Sequence, residues 1–117
     1  MKAHRLLHLC AIAVLSAPTP GLSADAEAGL ATVRELGTLN GQALACAEAR
    51  VAARARELML AHAPKTPRFG SAYEDATNEA FNAQTRSAKP CADNTEFTDR
   101  VNRLALRLAE QLPVAAK

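Results

Sequence analysis

The chain has 117 residues, 49% hydrophobic and 22% charged, with a formal net charge of +2. That suits one small folded domain and excludes a disordered or low-complexity linker. Aromatic residues make up 3% and Trp is absent, which excludes a large ligand pocket walled by aromatic rings.

The first segment reads as an address. Met1-Lys2-Ala3-His4-Arg5 is a short basic start, and Leu6 to Ala17 is almost wholly apolar. Pro18-Thr19-Pro20-Gly21 breaks any helix, and Leu22-Ser23-Ala24 offers a small residue for cleavage. This is the order of a secretory signal peptide, covering residues 1–24, with Ala26 as the second choice of cut site. The apolar stretch is short of the about 20 residues that span a bilayer, so contact with a membrane is expected only in transit. Cys10 is not a lipidation site by this reading, because Leu9 before it is not small and the apolar stretch continues past it.

Cleavage changes the charge and the cysteine count. Lys2 and Arg5 leave, so twelve basic residues face twelve acidic ones from Asp25 onward. A balanced mature charge removes the support for nucleic-acid binding. Cys46 and Cys91 remain, and in an oxidising compartment an even pair implies one disulfide. Their alternative, two free thiols as metal ligands, lacks C-x-x-C spacing or a nearby His partner.

The residues after 24 carry no strand signal: Ile does not recur after residue 12 and Val occurs four times. Apolar residues recur at helical spacing instead. Leu30, Val33 and Leu36 mark a short first helix, which the glycines and the Asn40-Gly41 pair of residues 37–41 are expected to end. The alternative is one helix over residues 26–62, with Gly37, Gly41 and Ala45 as a small face. Leu44, Ala47, Val51, Ala55, Leu58 and His62 mark the next helix, which Ala63-Pro64 stops. Residues 64–70 read as a stiff loop. Ser71-Ala-Tyr-Glu74 matches a capping box and is expected to open the third helix, running to about residue 88. Asp93-Asn-Thr-Glu96 is a second cap, and Phe97, Val101, Leu104, Leu108 and Leu112 form the clearest stripe in the chain.

The expected fold is therefore all-α, a single domain over residues 25–117. It is a small bundle of three main helices plus a short N-terminal helix, with one disulfide. Residues 46–62 and 71–90 have matching lengths, so antiparallel packing of those two helices would bring Cys46 to Cys91. Alanine supplies 27 residues, which lets helices approach closely but buries little area, and a thin core favours a staple.

Chemistry is sparse. Met59 and His62, at i and i+3, are the nearest thing to a soft copper site, but two ligands do not make one. The plainer reading puts Met59 in the core and His62 at a helix C-terminus. A hydrolase would need His62 with Ser71, already assigned to a cap, and Glu74 with Asp75 diverge on a helix. No enzyme activity and no cofactor are expected. Arg100, Arg103 and Arg107 lie along one face of the last helix, framed by Glu96 and Glu110, and Arg50, Arg54 and Glu57 repeat the pattern earlier. Such stripes are ordinarily salt-bridge-laced surface, and otherwise a contact for an acidic partner. Lys65-Thr66-Pro67-Arg68-Phe69-Gly70 is either a connector whose Phe69 staples the core or a contact loop made by Lys65, Arg68 and Phe69.

In size, export, helicity and a single bridge, the chain is loosely similar to small periplasmic acid-stress chaperones and to small helical immunity proteins that block cell-wall-degrading toxins, though no motif carries either. By subtraction, the expected function is that of a periplasmic or secreted accessory protein that binds another protein. A periplasmic copper-binding protein is the alternative from another class.

Overall fold

The structure, a computed structural model, describes residues 24–114, and the expected signal peptide lies almost wholly outside them. Four helices follow in order: α1 (Ala24–Ala45), α2 (Ala49–His62), α3 (Pro67–Arg86) and α4 (Asn94–Gln111). No strand occurs among the described residues, and no described helix is long and apolar enough to cross a membrane.

The first helix is the centre of the molecule rather than a short extra. Ten of its residues are buried, and it packs against all three other helices. Its partners fix the directions. Glu27 pairs with Arg68, and Asn40 donates to the Thr77 hydroxyl at 3.2 Å, so α1 and α3 run parallel. Thr32 meets Gln111 and Glu35 meets Arg107, so α1 and α4 run antiparallel. Glu48 meets Asn94, and His62 meets Leu112, so α2 runs with α4. The core is built from Leu30, Val33, Leu36 and Leu39 of α1, Val51, Ala55 and Leu58 of α2, Phe69 of α3, and the whole expected stripe of α4 with Leu112.

The expected break at residues 37–41 does not exist. Gly37 and Gly41 are buried inside α1 and let α3 lie directly against its backbone. A Cβ on Gly37 would stand 2.5 Å from the Tyr73 carbonyl oxygen, and one on Gly41 would meet the Thr77 carbonyl oxygen closer still. Thr77 locks the seam: its hydroxyl accepts from Asn40 and shares its proton between the Tyr73 carbonyl at 2.8 Å and the Gly37 carbonyl at 3.2 Å. Nor is there one helix over residues 26–62. The chain breaks after Ala45, where the Glu48 N–H donates to the Ala43 carbonyl at 2.8 Å and the Ala47 N–H to the Leu44 carbonyl at 3.3 Å. This is a Schellman ending, and Ala47 takes its left-handed position at φ 59°. Leu44, expected on the buried stripe of α2, belongs to α1 and is half exposed.

The start of α3 also differs. It opens four residues before the expected Ser71 cap. Thr66 is the N-cap, accepting from the Phe69 N–H, and Pro67 takes the first turn, where its missing N–H costs nothing. Ser71 is an exposed residue inside the helix. The Asp93 cap forms as expected, its carboxylate accepting from the Glu96 N–H at 2.8 Å.

Cys46 and Cys91 form the disulfide, with Cα atoms 5.8 Å apart. The helix lying against α3 is α1, however, not α2 as expected. The cysteines meet because α2, with 14 residues, leads the chain away from the α1–α2 junction and the antiparallel α3, with 20, brings it back. The bridge ties the α1–α2 junction to the α3–α4 connection.

Candidate functional site

The antiparallel crossing of α1 and α4 leaves a groove of about 430 Å³ between them. Arg34, Glu35 and Thr38 line it from α1; Arg100, Arg103 and Arg107 line it from α4, with the buried Leu104 among them. Helical spacing explains the arrangement. Residues 100, 103 and 107 recur at three and four along α4, one step round from the buried stripe.

Four guanidinium groups face one carboxylate. Arg107 is committed: it pairs with Glu35 at 2.6 Å and reaches the buried Thr32 hydroxyl at 3.4 Å. Thr32 in turn donates to Gln111 Oε1 at 2.6 Å, which fixes that end of the groove. Arg100 lies over the Phe97 ring, 5.7 Å from its centroid. Arg34 and Arg103 make no ion pair among the described residues. The lacing expected between Glu96 and Arg100, and between Arg107 and Glu110, is absent among the described residues. Among the described residues, the one ion pair within a helix is Arg54 with Glu57 at 3.3 Å. The guanidinium groups of Arg34, Arg100 and Arg103 in the groove therefore have no carboxylate at ion-pair distance among the described residues. Planar forks of this kind bind carboxylates in bidentate fashion.

A neighbouring hollow between α1 and α3 shares Arg34 and adds Arg68, but Asp75 and Glu79 balance them there. Its charge is mixed, and Arg68 is already paired with Glu27 at 3.0 Å.

The other sequence candidates are placed as follows. Phe69 is 2% exposed and sits in the core, so of the two readings the core staple holds for the ring and the contact role of Phe69 is corrected: Thr66-Pro67 begins a helix, and that helix turns the ring inward. Lys65 and Arg68 stay exposed beside it, Lys65 donating to the Leu60 carbonyl at 3.3 Å. Met59 packs partly buried against the core. The His62 Nδ1–H donates to the Leu112 carbonyl at 2.7 Å, holding the end of α4 to the end of α2. No group of three or more His, Cys, Asp or Glu able to hold a metal occurs among the described residues, so the third ligand that Met59 and His62 would need is not found there. No hydrogen bond joins Ser71 to His62 among the described residues.

Sequence reasoning missed the α1 side of the groove, because it ended the first helix near Gly37. It also missed Tyr73, whose hydroxyl is buried without a partner. Burial raises its pKa from 10.0 to about 12, with Arg56 pulling the other way, so it is a neutral phenol at ordinary pH.

No family model, no curated protein and no solved structure matches the chain.

Proposed function

We propose that this is an exported accessory protein that acts by binding an acidic region of another protein, without catalysis of its own. The observation that carries the reading is the α1–α4 groove, where Arg34, Arg100 and Arg103 have no carboxylate partner among the described residues, beside the paired Arg107. Arginine is enriched at the energetic centres of protein interfaces, and surplus guanidinium groups steer acidic partners. Export to the periplasm or the medium is supported by the basic, apolar and small-residue order of residues 1–24 and by the Cys46–Cys91 bridge, since disulfides persist in oxidising compartments.

The test is affinity capture from the extracytoplasmic fraction with the wild-type protein and with Arg100→Glu/Arg103→Glu. Neither arginine is ion-paired among the described residues, and loss of the Arg100 contact with the Phe97 ring should cost about 0.5–1 kcal/mol, so the variant should stay folded with a slightly lowered melting temperature. The expected result is a captured protein that elutes with rising salt and is lost with the variant. Equal capture by both proteins rejects the groove as the contact.

A further inference from the structure

We infer that Glu35 is a built-in competitor for the α1–α4 groove. A multiply acidic segment of the partner displaces it from Arg107 and takes over that guanidinium, whereas a single carboxylate does not. This rests on the reading above and adds to it how the groove selects its ligand.

Arg107 differs from the other arginines of the groove. Arg34 and Arg103 have no ion pair among the described residues, and Arg100 lies over the Phe97 ring. Arg107 is held from two sides. One is Glu35, whose carboxylate accepts from it at 2.6 Å and whose side chain is 56% exposed. The other is the Thr32 hydroxyl, 3.4 Å away, on a residue that is 1% exposed and is tied in turn to Gln111 at 2.6 Å. If Glu35 swings away, the buried anchor stays, and the guanidinium keeps its place at the end of the groove.

Replacing Glu35 by an incoming carboxylate conserves the ion pair. The displaced side chain returns to water, and an exposed pair of this kind contributes little to the fold. The newcomer meets a fork that is already ordered, so less freedom is lost on binding. Glu35 nonetheless outcompetes a small ligand, because its tether gives it an effective concentration on the order of millimolar. Several linked carboxylates overcome that advantage by engaging neighbouring arginines at once. Arg103 stands one helical turn from Arg107, a rise of about 6 Å, and Arg34 and Arg100 line the same groove. Among the described residues, Glu35 is the one carboxylate lining the groove. Asp99, next to Arg100 in the chain, is outside that lining and makes no ion pair among the described residues.

The test uses the disulfide-bonded, ¹³C- and ¹⁵N-labelled protein with two probes: hexaglutamate, and acetate at the same carboxylate concentration. Ligand-free Arg107→Gln supplies the ¹³C position of an unpaired Glu35 carboxylate. With saturating hexaglutamate the wild-type Glu35 carboxylate should move to that position, and with acetate it should stay where it is. Glu35→Gln keeps the shape and weakens the hold on Arg107, so it should bind hexaglutamate about threefold more tightly than wild type while remaining folded. Asp99→Asn removes the same charge beside Arg100 and should tighten binding by less than about twofold at physiological salt. A Glu35 signal that stays put while amides of residues 34–38 and 100–107 shift overturns the exchange and leaves the proposed groove intact. An equal gain from Asp99→Asn does the same, because overall charge then explains the effect. Movement of Glu35 with acetate overturns the selection of multiply charged ligands. Silence of all these residues with hexaglutamate overturns the groove as well.

Discussion

Replacing Gly41 by Ala tests the α1–α3 seam through the sign of its effect. In an open helix, Gly→Ala stabilises by about 1 kcal/mol, because Ala loses less backbone entropy. At Gly41 the added methyl would meet the Thr77 carbonyl oxygen, the Phe81 amide nitrogen at 2.8 Å and the Ala80 Cβ at 2.9 Å. Two of these are backbone atoms, so no rotamer change relieves the contact and α3 must move away. Overpacking of this kind costs about 1–3 kcal/mol, which outweighs the propensity gain. Moving α3 also strains the hydrogen bonds that Thr77 makes to Asn40 and Gly37. The expected net effect is a destabilisation of about 1–2 kcal/mol. At about 4–8 °C per kcal/mol for a domain of this size, thermal unfolding resolves it readily. Gly70→Ala is the internal control: a Cβ there meets nothing within 4 Å, so it should stabilise by about 0.5–1 kcal/mol. If Gly41→Ala matches or exceeds wild type in urea and thermal unfolding, α3 does not lie on the α1 backbone and the seam is wrong.

Three further outcomes follow from the same contacts. Ala47→Gly should stabilise the protein by about 1 kcal/mol, since glycine takes the left-handed position without the Cβ penalty; an unchanged urea midpoint refutes the Schellman ending. Cys46→Ser/Cys91→Ser should destabilise by up to about 4 kcal/mol for a bridge spanning 45 residues, an upper figure because measured bridges often give less; an unchanged melting temperature contradicts its role as a staple. Tyr73→Phe should be neutral or stabilising at pH 7, because it removes a buried hydroxyl without a partner. The folded pKa of Tyr73 lies above its ordinary 10.0, so its contribution is present below pH 10 and is lost as pH rises toward about 12; stability of the wild type should fall more steeply there than that of Tyr73→Phe.

The elements that were legible were those whose signals have one meaning. The α4 stripe and the Asp93 cap form as the spacing requires, because a buried face and a carboxylate cap admit no alternative use. The disulfide was legible from the cysteine count, although the helix pairing behind it was not. Gly37 and Gly41 misled because glycine marks both a turn and a close approach of backbones, and only the position of α3 decides which. The true end of α1 gave no signal, since Ala47 stands where glycine is usual. Residues 64–70 read as a loop although a capping Thr before Pro is itself a helix start, and without that helix the sequence leaves open whether Phe69 staples the core or faces a partner. The α4 half of the groove was visible as Arg100, Arg103 and Arg107. Its α1 half stays hidden in the sequence, because the signal at residues 37–41 reads as the end of α1.

The central claim is that the α1–α4 groove binds carboxylates. The most direct measurement is the affinity of fluorescent hexaglutamate for the wild type and for Arg103→Glu, each followed over a salt series. Arg103 lines the groove and has no ion pair among the described residues, so the fold should be unaffected. Binding should weaken steeply with salt and fall about tenfold or more in the variant at an unchanged melting temperature. Equal affinity of the two proteins, or affinity indifferent to salt, would contradict it.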